Sequence, residues 1–184
     1  MPTRGPNSAN TIVSDPTAGD VAWSNPSYAS GSDENRATAA LSATEHSEYL
    51  RATDFGYDLR RWHTPLGIQV DVQVSKTGAG GVGDVVADLL KAGSLIAQNK
   101  ATLASLPAVE AYWEYGGAAD LWNTPWLSDE LNASNHGFVF QCECGAPDSA
   151  TPRVNDIRGT ISYISHGGPY RSSRRGPCPR GQER

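Results

Sequence analysis

In EYGGAADLWNTPWL, residues 114–127, a tyrosine and two tryptophans stand beside paired glycines in a chain with only 8% aromatic residues. Flat aromatic rings can lie against the C–H faces of a sugar, so Tyr115, Trp122 and Trp126 are candidate glycan contacts. The competing reading is architectural. Trp122 would fill the gap between two packed layers, while Gly116 and Gly117 let backbone segments cross closely. On the residues alone both readings stand for Trp122, and the binding reading rests chiefly on Trp126, beside Pro125.

A second chemistry is suggested by GAGGVG, residues 78–83, which matches the G-x-G-x-x-G of dinucleotide-binding folds. There the glycines admit a pyrophosphate at a helix N-terminus, and an acidic residue about 20 positions later binds the ribose. Positions 98–109 hold no Asp or Glu, and the preceding GIQVDVQV alternates instead of being apolar throughout. A flexible hairpin tip is therefore expected, and no cofactor.

Cys142 and Cys144 could donate thiolates to zinc, but no C-x-x-C or H-x-x-x-H pair supplies the other ligands. The third cysteine, Cys178, leaves an odd count, so buried or free thiols compete with a disulfide to Cys178 or to another subunit. Asp33-Glu34-Asn35 offers oxygen ligands to calcium, yet no D-x-D-x-D-G loop is present and a solvated turn is the better reading. No G-x-S-x-G, H-E-x-x-H or P-loop occurs, and His46, His63, His136 and His166 have no local partners for a relay. The chain reads as a non-enzyme.

Charge divides the chain. Residues 165–184 hold five Arg against one Glu, a net of +4, so with a total of −5 residues 1–164 carry −9. An acidic body is a poor footprint for nucleic acid, and the tail has cations without interleaved aromatics to read bases. Arg171, Arg174 and Arg175 are instead candidate anchors to a neighbouring subunit. No apolar run is long enough to span a bilayer and no secretory signal is visible at the start, so synthesis in a reducing cytoplasm is expected and no membrane partner.

The elements that would position these residues are strands. GIQVDVQV puts Ile68, Val70, Val72 and Val74 on one face, GFVFQCEC does so with Phe138, Phe140, Cys142 and Cys144, and DIRGTISYI with Ile157, Ile161 and Tyr163. Gly159 marks a bulge or a close approach. Shorter candidates are SEYLRA, DVVADLL, LIAQNK and EAYWEY, with a single helical turn beginning at Ser128. ENRATAALSATEHSEYL is permissive for helix but has no sustained apolar stripe. Leu, Ile, Val and Phe are sparse over the whole chain, which suits a compact core with unpacked ends.

Trp23 with Asn25-Pro26, Ala52 to Tyr57, Gly67-Ile68, Lys91-Ala92-Gly93, Asn99-Lys100-Ala101, Tyr115-Gly116-Gly117 with Asp120-Leu121-Trp122, Leu131-Asn132, Gly137-Phe138 and Val154 to Tyr163 together resemble a module of tailed-bacteriophage virion proteins. The resemblance spans roughly residues 22–164. This chain departs from it at Asn123, where Gly commonly follows the tryptophan, and at His136, where an aromatic or aliphatic residue is usual. It implies a jelly-roll β-sandwich of decoration, collar, tail or fibre components, a packing role for Trp122, and no catalytic residues.

The expected architecture is thus all-β, a jelly-roll-like antiparallel sandwich over 23–164. An extended N-terminal arm covers 1–22 and an irregular, basic, Arg-rich tail covers 165–184. The expected function is a virion structural protein, assembled in the bacterial host cytoplasm and docking in many copies, as a symmetric oligomer, on capsid, collar or tail proteins. The alternative is a carbohydrate-binding module on a fibre or spike that recognises host surface glycan.

Overall fold

The computed structural model describes residues 1–166 and is an antiparallel β-sandwich. Its strands are β1 (Thr3–Ser8), β2 (Thr11–Asp15), β3 (Ala37–Thr38), β4 (Tyr49–Thr53), β5 (His63–Thr77), β6 (Val82–Lys91), β7 (Ser94–Leu95), β8 (Ala111–Gly116), β9 (Gly137–Cys144) and β10 (Thr151–Ser165). One short helix, α1 (Ser128–Asn132), precedes β9. One sheet runs β1-β10-β5-β8, with β3 also on β10, and the other runs β2-β4-β9-β6-β7. Without β2 and β3, two four-stranded sheets remain whose chain crosses repeatedly from one to the other. That is the strand order of a jelly roll.

The core lies between the sheets. Ile68, Val70, Val72 and Val74 of β5 face Phe138, Phe140, Cys142 and Cys144 of β9, and all are buried as their alternation requires. β5 and β10 pair along almost their whole length, from His63 with Ser165 to Thr77 with Thr151. Gly159 of β10 is a close approach, because a Cβ there would collide with the Tyr57 hydroxyl.

Three expectations change. Residues 1–22 are not an extended arm: β1 pairs with β10, β2 pairs with β4, and Ala9 and Ile12 enter the core. Edge strands are held by backbone hydrogen bonds, so a polar sequence with few apolar residues can supply them. GAGGVG is not a hairpin tip, because β5 and β6 belong to different sheets and the loop between them carries the chain across the sandwich. Its glycines permit contact with the Ser149 carbonyl, which a Cβ at Gly78 or Gly80 would meet at 2.9 or 2.8 Å. ENRATAALSATEHSEYL forms no helix. Ala37, Ala39 and Leu41 are buried on a period of two, and the small size of alanine hides this strand-like alternation.

LIAQNK contributes only its first residue to a strand, Ser94–Leu95, and from Ile96 the chain forms a strap along the exposed edge of β6. Ile96 N–H donates to the Leu89 carbonyl at 3.1 Å, Lys100 N–H to Ala87 at 2.8 Å, and Leu106 N–H to Val82 at 2.7 Å. An edge that could template pairing with another chain is thereby covered.

Candidate functional site

The aromatic residues of EYGGAADLWNTPWL are brought together, but inward. Tyr115, Trp122 and Trp126 retain 1%, 0% and 6% of their surface, so none offers an open ring face to a sugar. Trp122 packs edge-on against Phe138, with centroids 6.4 Å apart, and its indole N–H donates to the Ile68 carbonyl at 3.0 Å. Gly116 makes that fit feasible, since a Cβ would lie 2.5 Å from the indole nitrogen. Trp122 and Asn123 both have positive φ in the left-handed region, so Asn123 takes the conformation that a glycine would supply. The Trp126 indole donates to the Leu121 carbonyl at 3.1 Å, beneath the Lys91 ammonium at 5.1 Å.

Tyr115 donates its hydroxyl to Asp84 at 2.9 Å, and Asp84 also accepts from the Thr102 amide and hydroxyl at 2.7 and 2.9 Å. Burial, with the Asp84 carboxylate beside it, pushes the Tyr115 phenol well up. Burial likewise raises Asp88, opposed by amides of Gln98, Leu89 and Ala97 that point at its carboxylate. Both carboxylates fasten the strap to β6. Their bonds to the chain's own backbone and hydroxyls serve the scaffold and leave them poorly placed for acid–base work on a substrate.

The remaining candidates are distributed through the body. Cys142 and Cys144 lie buried on the core face of β9 and are not bonded to each other, and burial with Asp84 nearby raises the Cys142 thiol. Asp33 accepts from the Asn35 amide at 2.6 Å and closes a local turn. Among the described residues no three His, Cys, Asp or Glu side chains gather as a metal site. Arg171, Arg174, Arg175 and Cys178 lie outside the described residues.

The structure adds two groupings that sequence reasoning missed. On the outer face of the first sheet, the Arg158 guanidinium lies 3.9 Å from the Tyr112 ring centre and bonds Asp71 at 3.0 Å. Asp71 also accepts from Gln69 at 2.7 Å, and the Tyr112 hydroxyl donates to Asp156 at 3.2 Å. The alternation of GIQVDVQV points Gln69, Asp71 and Gln73 to this face, but Tyr112 and Arg158 reach it only through strand register.

The second grouping is at one end of the sandwich, where a cleft of about 230 Å³ is bounded by Arg61, His63, Thr64, Trp126, Ser128 and Asp129. His63 opens β5 and stacks on Tyr163 near the end of β10, with ring centres 4.1 Å apart and planes within 20°. Trp62 meets the same imidazole edge-on at 6.3 Å. Burial, with Arg4 and Arg60 nearby, lowers the His63 imidazole, while Asp58 opposes them. Of the nominated residues, Trp126 alone borders this cleft.

Comparisons with known proteins add little to these contacts. No family model matches the chain, and no curated protein matches it. Among solved structures, it is similar to one described as "CBM4 structure and function", with a TM-score of 0.42 and 12% identity over 82% of this chain and 94% of that chain. That likeness bears on neither family nor function, and the jelly roll rests on the strand order of the two sheets.

Proposed function

We propose that this protein is a structural component of a tailed-bacteriophage virion, built in the host cytoplasm and docked in many copies on the outside of the capsid, collar or tail. One observation carries the reading: three asparagines of the module-like pattern are clamps of the scaffold. Asn132 accepts from the Leu59 amide and donates to the Leu59 carbonyl, both at 2.7 Å. Asn155 does the same to Asp33 at 3.2 and 2.7 Å, and Asn99 accepts from Ala87 and donates to Val85 at 2.9 and 2.8 Å. Each side-chain amide imitates one rung of a strand ladder and fixes a loop where no strand is available. A pattern made of such clamps and of packed Trp122 maintains a shape, and shape repeated by symmetry is what a docking subunit contributes. Mass spectrometry of purified virions should detect the chain, and electron microscopy should place it in repeated external density. Its absence from virions would overturn the reading.

A second reading, recognition of host surface glycan, is favoured by the cleft bounded by His63, Leu127 and Trp126. In this reading Tyr115 and Trp122, buried and outside the lining of the cleft, do not touch the sugar.

A further inference from the structure

We infer that the cleft between His63 and Trp126 binds an acidic monosaccharide unit of a bacterial surface glycan, its carboxylate held by Arg61. The inference rests on the glycan reading and names its chemistry.

Residues 1–166 contain ten Lys or Arg against nineteen Asp or Glu, so cations are scarce in the body. Arg36, Arg51, Lys91, Lys100 and Arg158 pair with carboxylates, and Lys76 donates to the Gly80 carbonyl. Arg4, Arg60, Arg61 and Arg153 form no ion pair among the described residues, and the first three of these lie around His63. Three guanidiniums without an ion pair among the described residues, against Asp58 and Asp129 close by, leave one end of an acidic domain with a local excess of positive charge that draws in an anion.

The walls narrow the class of anion. A cleft of about 230 Å³ is small beside the roughly 300–1,000 Å³ of pockets for drug-sized ligands, so it suits one ring. The exposed Leu127 side chain and the His63 ring provide apolar contact for the C–H surface of a sugar, with buried Trp126 behind them. Thr64 and Asp129 can bond its hydroxyls, and Arg61, exposed on the rim, can take a carboxylate through two parallel N–H bonds. The Asp129 carboxylate accepts hydrogen bonds from hydroxyls and opposes accumulating negative charge, which disfavours a phosphate-rich strand of nucleic acid. A protein partner would need about 800 Å² per side, far more than this recess supplies.

The test is a printed array of saccharides bearing glucuronic, galacturonic or sialic acid, each beside its uncharged analogue, probed with the full chain. Binding to acidic members is expected, with Arg61→Ala weakening it about tenfold or more and Arg61→Lys recovering part of it. Arg153→Ala, far along β10, should leave binding unchanged. A combined Arg171→Ala, Arg174→Ala, Arg175→Ala chain should retain it, and matching thermal melts confirm that each variant folds. Equal binding to the uncharged analogues overturns the acidic assignment and leaves the glycan reading standing. Failure to bind any saccharide overturns both, and acidic binding that survives Arg61→Ala but vanishes with the tail variant moves the site off the cleft and overturns the inference.

Discussion

His136 stands where the resembled module has an aromatic or aliphatic residue, and it behaves as one. Its ring lies among Phe55, Tyr57 and Trp126 at 6.2, 6.0 and 5.2 Å, with Nδ1–H donating to the Leu90 carbonyl and Nε2 buried without a partner among the described residues. Burial lowers its pKa from 6.5 to about 4, partly offset by the Leu90 carbonyl. The folded state therefore holds the neutral ring, while the unfolded chain takes up a proton as the pH falls below 6.5. The associated stability is fully present above the unfolded pKa and is lost as pH drops toward the folded one, amounting to about 3 kcal/mol across that window. Urea melts between pH 7 and 4.5 should show this slope, and His136→Phe should remove it while leaving the contribution of His63 in place. The spacing of the sequence located His136 beside the turn, but its protonation preference comes from rings contributed by distant segments.

At the scale of elements, the strap of residues 96–106 decides whether β6 ends in an open edge. Asn99 is its central fastening, because its side chain accepts from Ala87 and Ala101 and donates to Val85. Asn99→Ala should leave those groups to water and raise amide exchange at Ala87 and Lys100 roughly tenfold or more, with the β5–β10 ladder unaffected. Hydrogen-exchange mass spectrometry reads this directly, and uniform acceleration across all strands would mean instead that the whole fold had been weakened. The long strands β5, β9 and β10 were legible because their alternation is strong and one face is buried. The strap was not, since its bonds run through amide side chains and backbone and leave no hydrophobic period. For the same reason LIAQNK read as a strand. The glycines of GAGGVG read as a hairpin tip but form a crossing between sheets, because which strands a loop joins depends on pairings remote in sequence.

For the molecule as a whole, the N-terminal strands contribute to both sheets, so they serve the fold before they can serve docking. Removing residues 1–15 should lower the thermal midpoint by at least about 10 °C or render the protein insoluble, since a loss of several kcal/mol moves a domain of this size that far. An arm lying free of the body would leave the melt unchanged, and circular dichroism separates the two outcomes. The proposed assembly then has to come from outer surfaces of an intact sandwich. The net charge of −9 over residues 1–166, ten cations against nineteen carboxylates, opposes close approach of like faces. Contacts between copies should therefore strengthen with added salt unless the basic residues are engaged. Sedimentation across a salt series measures that dependence.

By itself the sequence determined the all-β class and the inward faces of the three long strands, while the packing of Trp122 and the glycine-like position of Asn123 were implied by the resemblance. The strand faces follow from local periodicity, which each segment carries wherever it is placed. Only the tertiary structure decided that residues 1–15 supply two strands, that Tyr115 and Trp126 turn inward, and that Arg4, Arg60 and Arg61 meet around His63. Those outcomes depend on which strands pair and which sheet ends coincide. The pairing free energy comes from backbone bonds and packing between segments from opposite ends of the chain, as when Thr3 lies opposite Ser162.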